Sequence, residues 1–389
     1  MSARATILIA TGGTGGHVFP GLAVADALRA LADVDVTFVG TPRGLEKDVV
    51  PGRGYPIEML DVVPMKGGGP ARAVKGALVA ARETARAALL VRRLAPSAVL
   101  SIGGYAAGPV SLAAAALGVP LAVLEPNSVV GLANRLLAPF AARAYVAFPE
   151  TAAPFRRGRA RFLGVPLRAG FTPHAYAVDA AAPTARVLVM GGSQGAAALN
   201  ERLPEAIARA LRDVPGLEVV HQAGRGRDEA VRAAYAREGV KSVRVVSFLD
   251  DVAREVVRAD VVVARAGAVT VAELAAVGRA AVLIPFPHAA DDHQARNAQA
   301  LEAAGAAVCV RQESADAVRI ARELARILGD AALRTRMADA ARAHGRPTAA
   351  SDVARDLLSL AGVPLATRAP LNGMRHVNGK GTRPHPEVN

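Results

Sequence analysis

Short apolar runs rich in β-branched residues alternate with longer alanine-rich stretches along most of the chain. The apolar runs predict strands at residues 5–10, 35–40, 57–60, 98–102, 121–125 and 144–148, and again at 186–190, 218–222, 244–248, 260–264, 281–285 and 307–311. Strands that alternate with helices form parallel βα units, because each helix carries the chain back along the sheet. The pattern therefore predicts an α/β protein with two doubly wound parallel sheets.

The alternation breaks between residues 151 and 183, where prolines and scattered arginines replace it. The break predicts a first domain over residues 1–165 and a second over 166–345, with a cleft between them at the carboxyl ends of the strands. A last helix is predicted over residues 350–361. Residues 362–389 are rich in Pro, Gly, Asn and basic residues, which is typical of a disordered tail.

Composition narrows the classes of protein that fit this pattern. The 389 residues contain one cysteine, Cys309, which excludes a disulfide framework and a cysteine-based zinc site. Neither a signal segment nor an apolar run long enough to cross a membrane is apparent, so we expect a protein of the reducing cytosol. The net charge of +13 favours an anionic partner, although a general bias toward Ala and Arg explains the total equally well.

The turn after the first strand, residues 12–17, contains four glycines and then His17. Glycines let a backbone approach a ligand, and the start of a helix directs N–H groups and partial positive charge at it. The spacing fits neither the dinucleotide fingerprint nor a P-loop. The turn therefore predicts a site for an anionic or sugar-like ligand with His17 as a titratable group, and the alternative is a turn that serves packing alone.

Two further glycine turns occupy equivalent strand ends. One, at residues 101–109, carries Tyr105, and the other, at residues 189–196, carries Ser193 before a predicted helix. Each signal is weak by itself. Because the carboxyl ends of parallel strands meet at one edge of a sheet, the three turns together predict a cleft lined from both halves of the chain.

The segment after the strand at 260–264 runs through Arg265 and Gly267 into a helix that carries Thr270 and Glu273. The amides at the start of that helix are suited to a diphosphate, with Glu273 accepting hydrogen bonds from a ribose. An internal capping pair between Thr270 and Glu273 is the structural alternative. The polar loop at residues 285–297 is suited to a sugar, whereas a metal cluster of His288, Asp291, Asp292 and His293 is the less favoured interpretation.

A set of motifs then matches one family. They are T-G-G-T-G-G-H-V-F-P-G-L, G-G-Y-A-A-G-P, E-P-N, G-V-P-L-R, G-G-S-Q-G-A, F-L-D-D, R-A-G-A-V-T-V-A-E and D-H-Q-A-R-N-A, in that order between residues 5 and 362. The chain thereby resembles the MurG family of bacterial glycosyltransferases. The resemblance implies the GT-B fold, two Rossmann-like domains with the last helix packed back on the first. It implies transfer of N-acetylglucosamine from UDP-N-acetylglucosamine to undecaprenyl-linked muramyl-pentapeptide (lipid I), which gives lipid II.

The resemblance assigns roles to residues at matching motif positions. The donor-binding positions are Thr14, Gly15, Gly16, Asn127, Arg168, Ser193, Leu249, Arg265, Gly267, Ala268, Val269, Thr270, Val271, Ala272, Glu273, His293 and Gln294. On the acceptor side it implies His17, Glu125, Tyr105 and Asn134. An α-linked donor and a β-linked product imply one inverting displacement with a general base. His17 is our first choice for that base, and Glu125 is the alternative.

The same resemblance implies no tightly bound cofactor and no metal, because helix amides and basic side chains stabilise the departing UDP. The sequence Asp33-Val34-Asp35 precedes a strand, so we interpret it as surface charge rather than a metal site.

A lipid-linked acceptor implies attachment to the cytoplasmic face of the bacterial inner membrane, with proteins of cell-wall synthesis as further partners. Residues 65–93 suit this task, because Lys66, Arg72, Lys75, Arg82, Arg86, Arg92 and Arg93 alternate with Val74, Leu78, Val79, Leu89 and Leu90. An ordinary surface helix is the alternative. A glycosyltransferase for another lipid, a sugar-nucleotide epimerase and a non-catalytic UDP-sugar-binding protein are the functional rivals, whereas few aromatic residues and no binding motif argue against nucleic acid.

Overall fold

The computed structural model describes residues 4–62, 70–104, 107–177, 185–192 and 195–366, with the backbone alone for 70–81. Two all-parallel sheets organise these residues. The first sheet has the strand order β3-β2-β1-β4-β5-β6-β7, and the second has the order β10-β9-β8-β11-β12-β13. Both orders reverse next to the first strand of the sheet, which is the doubly wound arrangement.

The first sheet is formed by β1 (Ala5–Ala10), β2 (Val34–Gly40), β3 (Ile57–Met59), β4 (Ala98–Ser101), β5 (Leu121–Glu125), β6 (Arg143–Val146) and β7 (Ala160–Phe162). The second is formed by β8 (Arg186–Met190), β9 (Glu218–Gln222), β10 (Val243–Val246), β11 (Val261–Ala264), β12 (Ala280–Leu283) and β13 (Ala307–Cys309).

The helices are α1 (Gly15–Leu31), α2 (Glu46–Gly52), α3 (Pro70–Leu94), α4 (Ala107–Ala116), α5 (Leu132–Leu137), α6 (Ala197–Asp213), α7 (Asp228–Arg237), α8 (Val252–Arg258), α9 (Ala268–Val277), α10 (His293–Ala303), α11 (Ala317–Gly329), α12 (Ala331–His344) and α13 (Ala349–Leu360). Short 3₁₀ turns lie at Pro149–Ala152, Ala290–Asp292 and Gln312–Ser314.

The predicted two-sheet fold is confirmed, and each of the twelve predicted strands is present with its ends within two residues of the expected ones. Strand β7 was missed, because it lies inside the segment that we interpreted as a break. Its sequence, Ala-Arg-Phe, is short, and its side chains are half-buried to exposed at the sheet edge. A strand of this kind is held by backbone pairing with β6, which leaves no hydrophobic pattern in the sequence.

Both faces of each sheet are covered, which explains why the strands are continuous apolar runs. In β1, Ile7 and Ile9 belong to one buried cluster while Leu8 belongs to the cluster on the opposite face. In β11, Val261 and Val262 likewise point to opposite sides. Parallel strands buried on both faces lack the polar alternation of half-exposed strands, so the sequence shows unbroken hydrophobic segments.

Helix α13 returns to the first sheet after the chain has completed the second. Leu357 and Leu358 are buried in the cluster that surrounds β1. The Tyr145 hydroxyl donates to Asp356 at 2.9 Å, and Arg143 lies 3.2 Å from the same carboxylate. The backbone continues along this domain to residue 366, whose N–H donates to the Leu31 carbonyl at 2.8 Å. Residues 362–366 of the predicted tail thus lie along this domain, and residues 367–389 lie outside the described chain.

Candidate active site

The glycine turns lie where the strand order of each sheet reverses. In the first sheet the turn at residues 12–17 follows β1 and the turn at 103–104 follows its neighbour β4. The two turns touch, because a Cβ on Gly104 would lie 2.5 Å from the Gly12 carbonyl oxygen. In the second sheet the turn after β8 and the start of α9 after β11 flank the corresponding position. Open α/β sheets bind their ligands at such reversals.

His17 lies in the first turn of α1, directly beside the second glycine turn. Its Nε2 is 3.4 Å from the place that a Cβ on Gly103 would occupy, so the absence of a side chain there makes room for the ring. Thr14 Oγ1 lies 3.4 Å from Nδ1. Burial lowers the pKa of His17 below 6.5, while the negative charge of Glu125 acts in the opposite direction. The imidazole is therefore neutral near neutral pH, which is the form that accepts a proton.

Glu125 ends β5 and is only 2% exposed, and both of its oxygens are already occupied by hydrogen-bond donors. Oε1 accepts from the backbone and the side-chain amide of Asn127 at 3.1 and 3.2 Å. Oε2 accepts from the Gly131 N–H and from Asn134 Nδ2, each at 2.9 Å. These four donors engage the lone pairs that a base would use. The geometry thus favours His17 as the base and Glu125 as the fixed charge beside it.

The other predicted residues of the first domain divide into buried and accessible groups. Asn134 is buried, and its amide nitrogen also donates to the Leu124 carbonyl at 3.1 Å, which ties it to the end of β5. Thr14 and Gly16 are exposed and Gly15 and Asn127 half-buried, which leaves them open to the cleft. Tyr105 lies outside the described residues.

Across the cleft, Glu273 on α9 is paired with Arg168 from the segment that joins the domains. The Arg168 guanidinium donates to Glu273 Oε1 at 3.2 Å, and its carbon lies 4.7 Å from the centroid of the Phe19 ring on α1. Burial raises the pKa of Glu273 to about 7, and Arg168 opposes that rise. This ion pair and ring contact bring the start of the first domain beside the ligand-facing helix of the second.

Helix α9 begins after Gly267 and its sequence includes the predicted run from Ala268 to Ala272. The first amides of a helix have no intrahelical acceptor, so this end supplies donors for an anion. The alternative capping role is not the one that Glu273 adopts, because Gly267 is the N-cap and the carboxylate is turned to Arg168. The Leu249 side chain is buried in the core below. Ser193 lies outside the described residues, whereas Gln222 Nε2 donates to the neighbouring Gly192 carbonyl at 2.8 Å.

Arg265 is bound to its own domain. Its guanidinium donates to the carbonyls of Ile284 and Pro285 at 3.0 and 3.1 Å and to the Gln312 side chain at 2.7 Å. Burial lowers its pKa, and the nearby charge of Arg202 adds to that effect. These contacts fix the backbone of the loop that follows β12, which is the loop predicted to bind the sugar.

The sugar loop carries His293 and Gln294 at the start of α10. Gln294 Oε1 accepts from the Phe286 N–H at 3.0 Å, and His293 Nδ1 lies 2.7 Å from the Ala290 carbonyl. Asp292 is paired with Arg311 at 2.8 Å. Within the described ranges, no group of three or more His, Cys, Asp or Glu side chains is arranged to hold a metal ion. The metal interpretation of this loop thus has no geometric support.

Asn297 and Glu46 are two buried polar residues of this region that the sequence did not single out. Asn297 Nδ2 donates to the Ala266 carbonyl and its Oδ1 accepts from the Ser128 N–H, both at 3.1 Å, which joins the two domains. Glu46 Oε2 accepts from the Gly13 N–H at 3.0 Å. The only sequence signal for Asn297 was its place in the last quoted motif, and Glu46 had none.

Each of the two sheets lies in a region that matches a known protein family. Residues 7–146 match the glycosyltransferase family 28 N-terminal domain, and residues 186–353 match the C-terminal domain of that family. A protein of Sorangium cellulosum named "UDP-N-acetylglucosamine--N-acetylmuramyl-(pentapeptide) pyrophosphoryl-undecaprenol N-acetylglucosamine transferase" is 55% identical over 376 residues, 95% of this chain and 92% of that protein. A protein of Acidithiobacillus ferrooxidans with the same name is 45% identical, over 92% of this chain and 98% of its own length. The crystal structure of Acinetobacter baumannii MurG superposes with a TM-score of 0.77 at 34% identity, covering 92% of this chain and all of the other.

Proposed function

This chain belongs to glycosyltransferase family 28 and, within it, to the MurG transferases, and we propose that it makes lipid II. The donor is UDP-N-acetylglucosamine and the acceptor is N-acetylmuramyl-(pentapeptide) pyrophosphoryl-undecaprenol. The observation that carries the assignment in this molecule is that the two domains place complementary groups on opposite sides, or walls, of one cleft. A neutral, half-buried His17 lies on the wall formed by the first domain, and Glu273 with the N-terminus of α9 lies on the wall formed by the second.

The proposed reaction is one displacement at the anomeric carbon of the donor sugar. The C4 oxygen of the acceptor bonds to that carbon as its proton passes to His17. The bond from the anomeric carbon to the diphosphate oxygen breaks, and its electron pair leaves with UDP. The fixed charge of Glu125 stabilises the imidazolium that forms, because opposite charges favour the protonated ring. The product sugar has the inverted configuration.

The donor is held by the second domain in this proposal. The ribose hydroxyls donate to Glu273, whose carboxylate has a single described ion-pair partner. The α9 amides bind the diphosphate and stabilise the charge that develops on the departing UDP. We propose that this arrangement needs no tightly bound cofactor. The polar loop before α10 binds the sugar through Gln294, with His293 beside it.

We further propose that the first domain meets an anionic membrane surface through α3, α4 and α5, which pack in sequence. Leu132, Leu136 and Phe140 are 67, 65 and 54% exposed, and Leu89 on α3 is 66% exposed near the exposed Arg82 and Arg86. Exposed apolar groups beside arginines suit an interface with acidic lipids. We propose that this attachment is peripheral and on the cytoplasmic face.

The structure changes the proposed membrane segment in one respect. Leu90, which we grouped with the membrane-facing residues, is 7% exposed and belongs to the core under the first sheet. Met65 and Lys66 lie outside the described residues, as do the side chains of Arg72, Val74, Lys75, Leu78 and Val79. Within the described chain, no helix is long and apolar enough to span a membrane.

The direct test is transfer of radiolabelled N-acetylglucosamine from its UDP donor to lipid I in mixed micelles. We expect a labelled lipid whose sugar is released by mild acid as the disaccharide-pentapeptide. Folded protein that transfers no label to lipid I, but transfers it to diacylglycerol or produces an epimerised UDP-sugar, would replace this assignment. For the membrane surface, the double variant Leu132→Glu, Leu136→Glu is expected to sediment less with phosphatidylglycerol vesicles, whereas equal sedimentation would exclude α5 from the interface.

A further inference from the structure

Glu46 is a buried carboxylate without an obvious structural need for charge. It lies at the start of α2, is fully buried, and makes its described hydrogen bonds to neutral donors. Oε1 accepts from the backbone N–H and the hydroxyl of Thr41 at 2.8 and 3.0 Å, and Oε2 accepts from the Gly13 N–H at 3.0 Å. Burying a carboxyl group costs free energy, so a glutamate side chain at such a place calls for an explanation.

The loop around Glu46 is shaped to admit its carboxylate. A Cβ on Gly40 would lie 2.4 Å from Glu46 Cγ, and a Cβ on Gly44 would lie 2.0 Å from Oε2. Both distances are far below van der Waals contact, so any other residue at either position would displace the Glu46 side chain. The end of β2 and the loop after it thus leave room for the Glu46 side chain only because Gly40 and Gly44 lack side chains.

The contact with Gly13 connects Glu46 to the base. Gly13 adopts a left-handed backbone with φ of +89°, and its N–H points inward to the carboxylate. The chain then enters α1, where the His17 N–H donates to the Thr14 carbonyl at 3.1 Å. The first glycine turn is therefore tied at one end to Glu46 and carries the imidazole at the other.

The charges around the imidazole agree with this connection. Glu125 at the end of β5 and Glu46 on α2 both act to raise the pKa of His17, as does a hydrogen bond with the Gly12 backbone. Burial and the proximity of His293 on α10 act to lower it. Glu46 is thus the second carboxylate that offsets the cost of protonating this half-buried ring.

We propose that Glu46 is a positioning residue for His17, which fixes the glycine turn through Gly13 and places a carboxylate behind it. The role in turnover rests on the proposed function, since it takes His17 as the base of the transfer reaction. The positioning itself is a property of the folded chain and is measurable without substrate.

The test is Glu46→Gln, with Asp48→Asn as the matched control because Asp48 is exposed on the same short helix and loses the same charge. The amide of Gln cannot accept from all three donors, so at least one N–H or O–H loses its acceptor. We expect kcat to fall about 10- to 100-fold with little change in the KM for UDP-N-acetylglucosamine, because small displacements of a catalytic group are costly. The control is expected to keep both constants.

The second readout is the NMR titration of the His17 ring in the free protein, assigned by its absence in His17→Ala. We expect a lower midpoint in Glu46→Gln and an unchanged midpoint in Asp48→Asn, a difference that a merely structural role would not produce. A folded Glu46→Gln with the parent kcat and midpoint would overturn the proposal. If that variant does not fold, Glu46→Asp replaces it, and full kcat in this shorter side chain would overturn the positioning role. Absence of transfer by the parent protein would instead reject the proposed function and leave the titration valid.

Discussion

Glu125 and Glu273 are two carboxylates of similar burial, at 2 and 5% exposure, in opposite walls of one cleft. Glu125 accepts four hydrogen bonds from its own domain. Glu273 is joined to Arg168 through one oxygen, and burial raises its pKa to about 7. At similar burial the two carboxylates therefore differ in hydrogen bonding, with four described donors on Glu125 and one on Glu273.

The contrast indicates what each wall is built for. A carboxylate whose lone pairs are all engaged is a fixed charge that holds backbone and neighbours in place. A carboxylate with spare acceptor capacity gains the missing hydrogen bonds when a ligand with hydroxyl groups arrives. The first wall is thus organised before substrate binds, whereas the second is completed by the donor.

The largest expected effect concerns the first wall. We expect His17→Ala to lower kcat about 10²- to 10⁴-fold, the usual contribution of a general base, with donor affinity nearly unchanged. Steady-state kinetics and calorimetry with UDP-N-acetylglucosamine measure the two quantities, with His174→Ala, an exposed histidine in the connecting segment, as control. Normal turnover in His17→Ala would show that His17 is not the general base and that water or another group has that role.

Glu125→Gln tests whether the first wall is preorganised. The NH2 group of Gln would replace an accepting oxygen, so at least one of the four donors would lose its acceptor. We therefore expect the free energy of unfolding to fall by about 1–3 kcal/mol. We also expect kcat to fall about 10- to 100-fold as the support of His17 is lost. Urea unfolding and kinetics provide the measurements, and the exposed Glu150→Gln is the control in the same domain. Unchanged stability would mean that the four hydrogen bonds do not hold the wall.

Glu273→Ala is expected to show the reverse pattern. Donor affinity should weaken about 10- to 100-fold, since two hydrogen bonds to a charged group are lost, while unfolding free energy changes by less than about 1 kcal/mol. Calorimetric titration with UDP-N-acetylglucosamine and urea unfolding measure these values against the exposed Glu238→Ala. Unchanged affinity would remove Glu273 from the donor site, and a large loss of stability would make it a structural residue like Glu125.

The smallest expected effect is the pH dependence of donor binding. The pKa of Glu273 is about 7 in the free protein, and ribose hydroxyls donate to the ionised form. Deprotonation therefore precedes or accompanies binding, so affinity rises as pH increases from about 6 to about 8, by at most tenfold per unit. Glu273→Gln should remove the dependence. A flat profile in the parent protein would show that the carboxylate is already ionised and that the two walls differ less than their hydrogen bonding indicates.

Much of this arrangement was predictable because it depends on local pattern. The strands follow from unbroken apolar runs, and the places of His17 and Glu273 follow from glycine turns at strand ends. The structure adds, for particular residues, contacts and burial that the sequence does not show. Arg265 is bound to neighbouring loop carbonyls, Asn134 is buried beside Glu125, and Leu90 belongs to the core. Each of these depends on what packs nearby, which periodicity does not encode.

The sequence by itself determined the two-sheet fold, the turns that face the cleft and the residue types available there. Tertiary structure alone decided how those residues are paired. Glu46 meets Gly13 across 33 positions, Arg168 meets Glu273 across 105, and Asn297 meets Ser128 across 169. Hydrogen bonding and burial set the charge state of a side chain, and both arise from packing between distant segments. For that reason the chain shows where its carboxylates lie, and only the folded molecule shows which of them is fixed and which is free to bind.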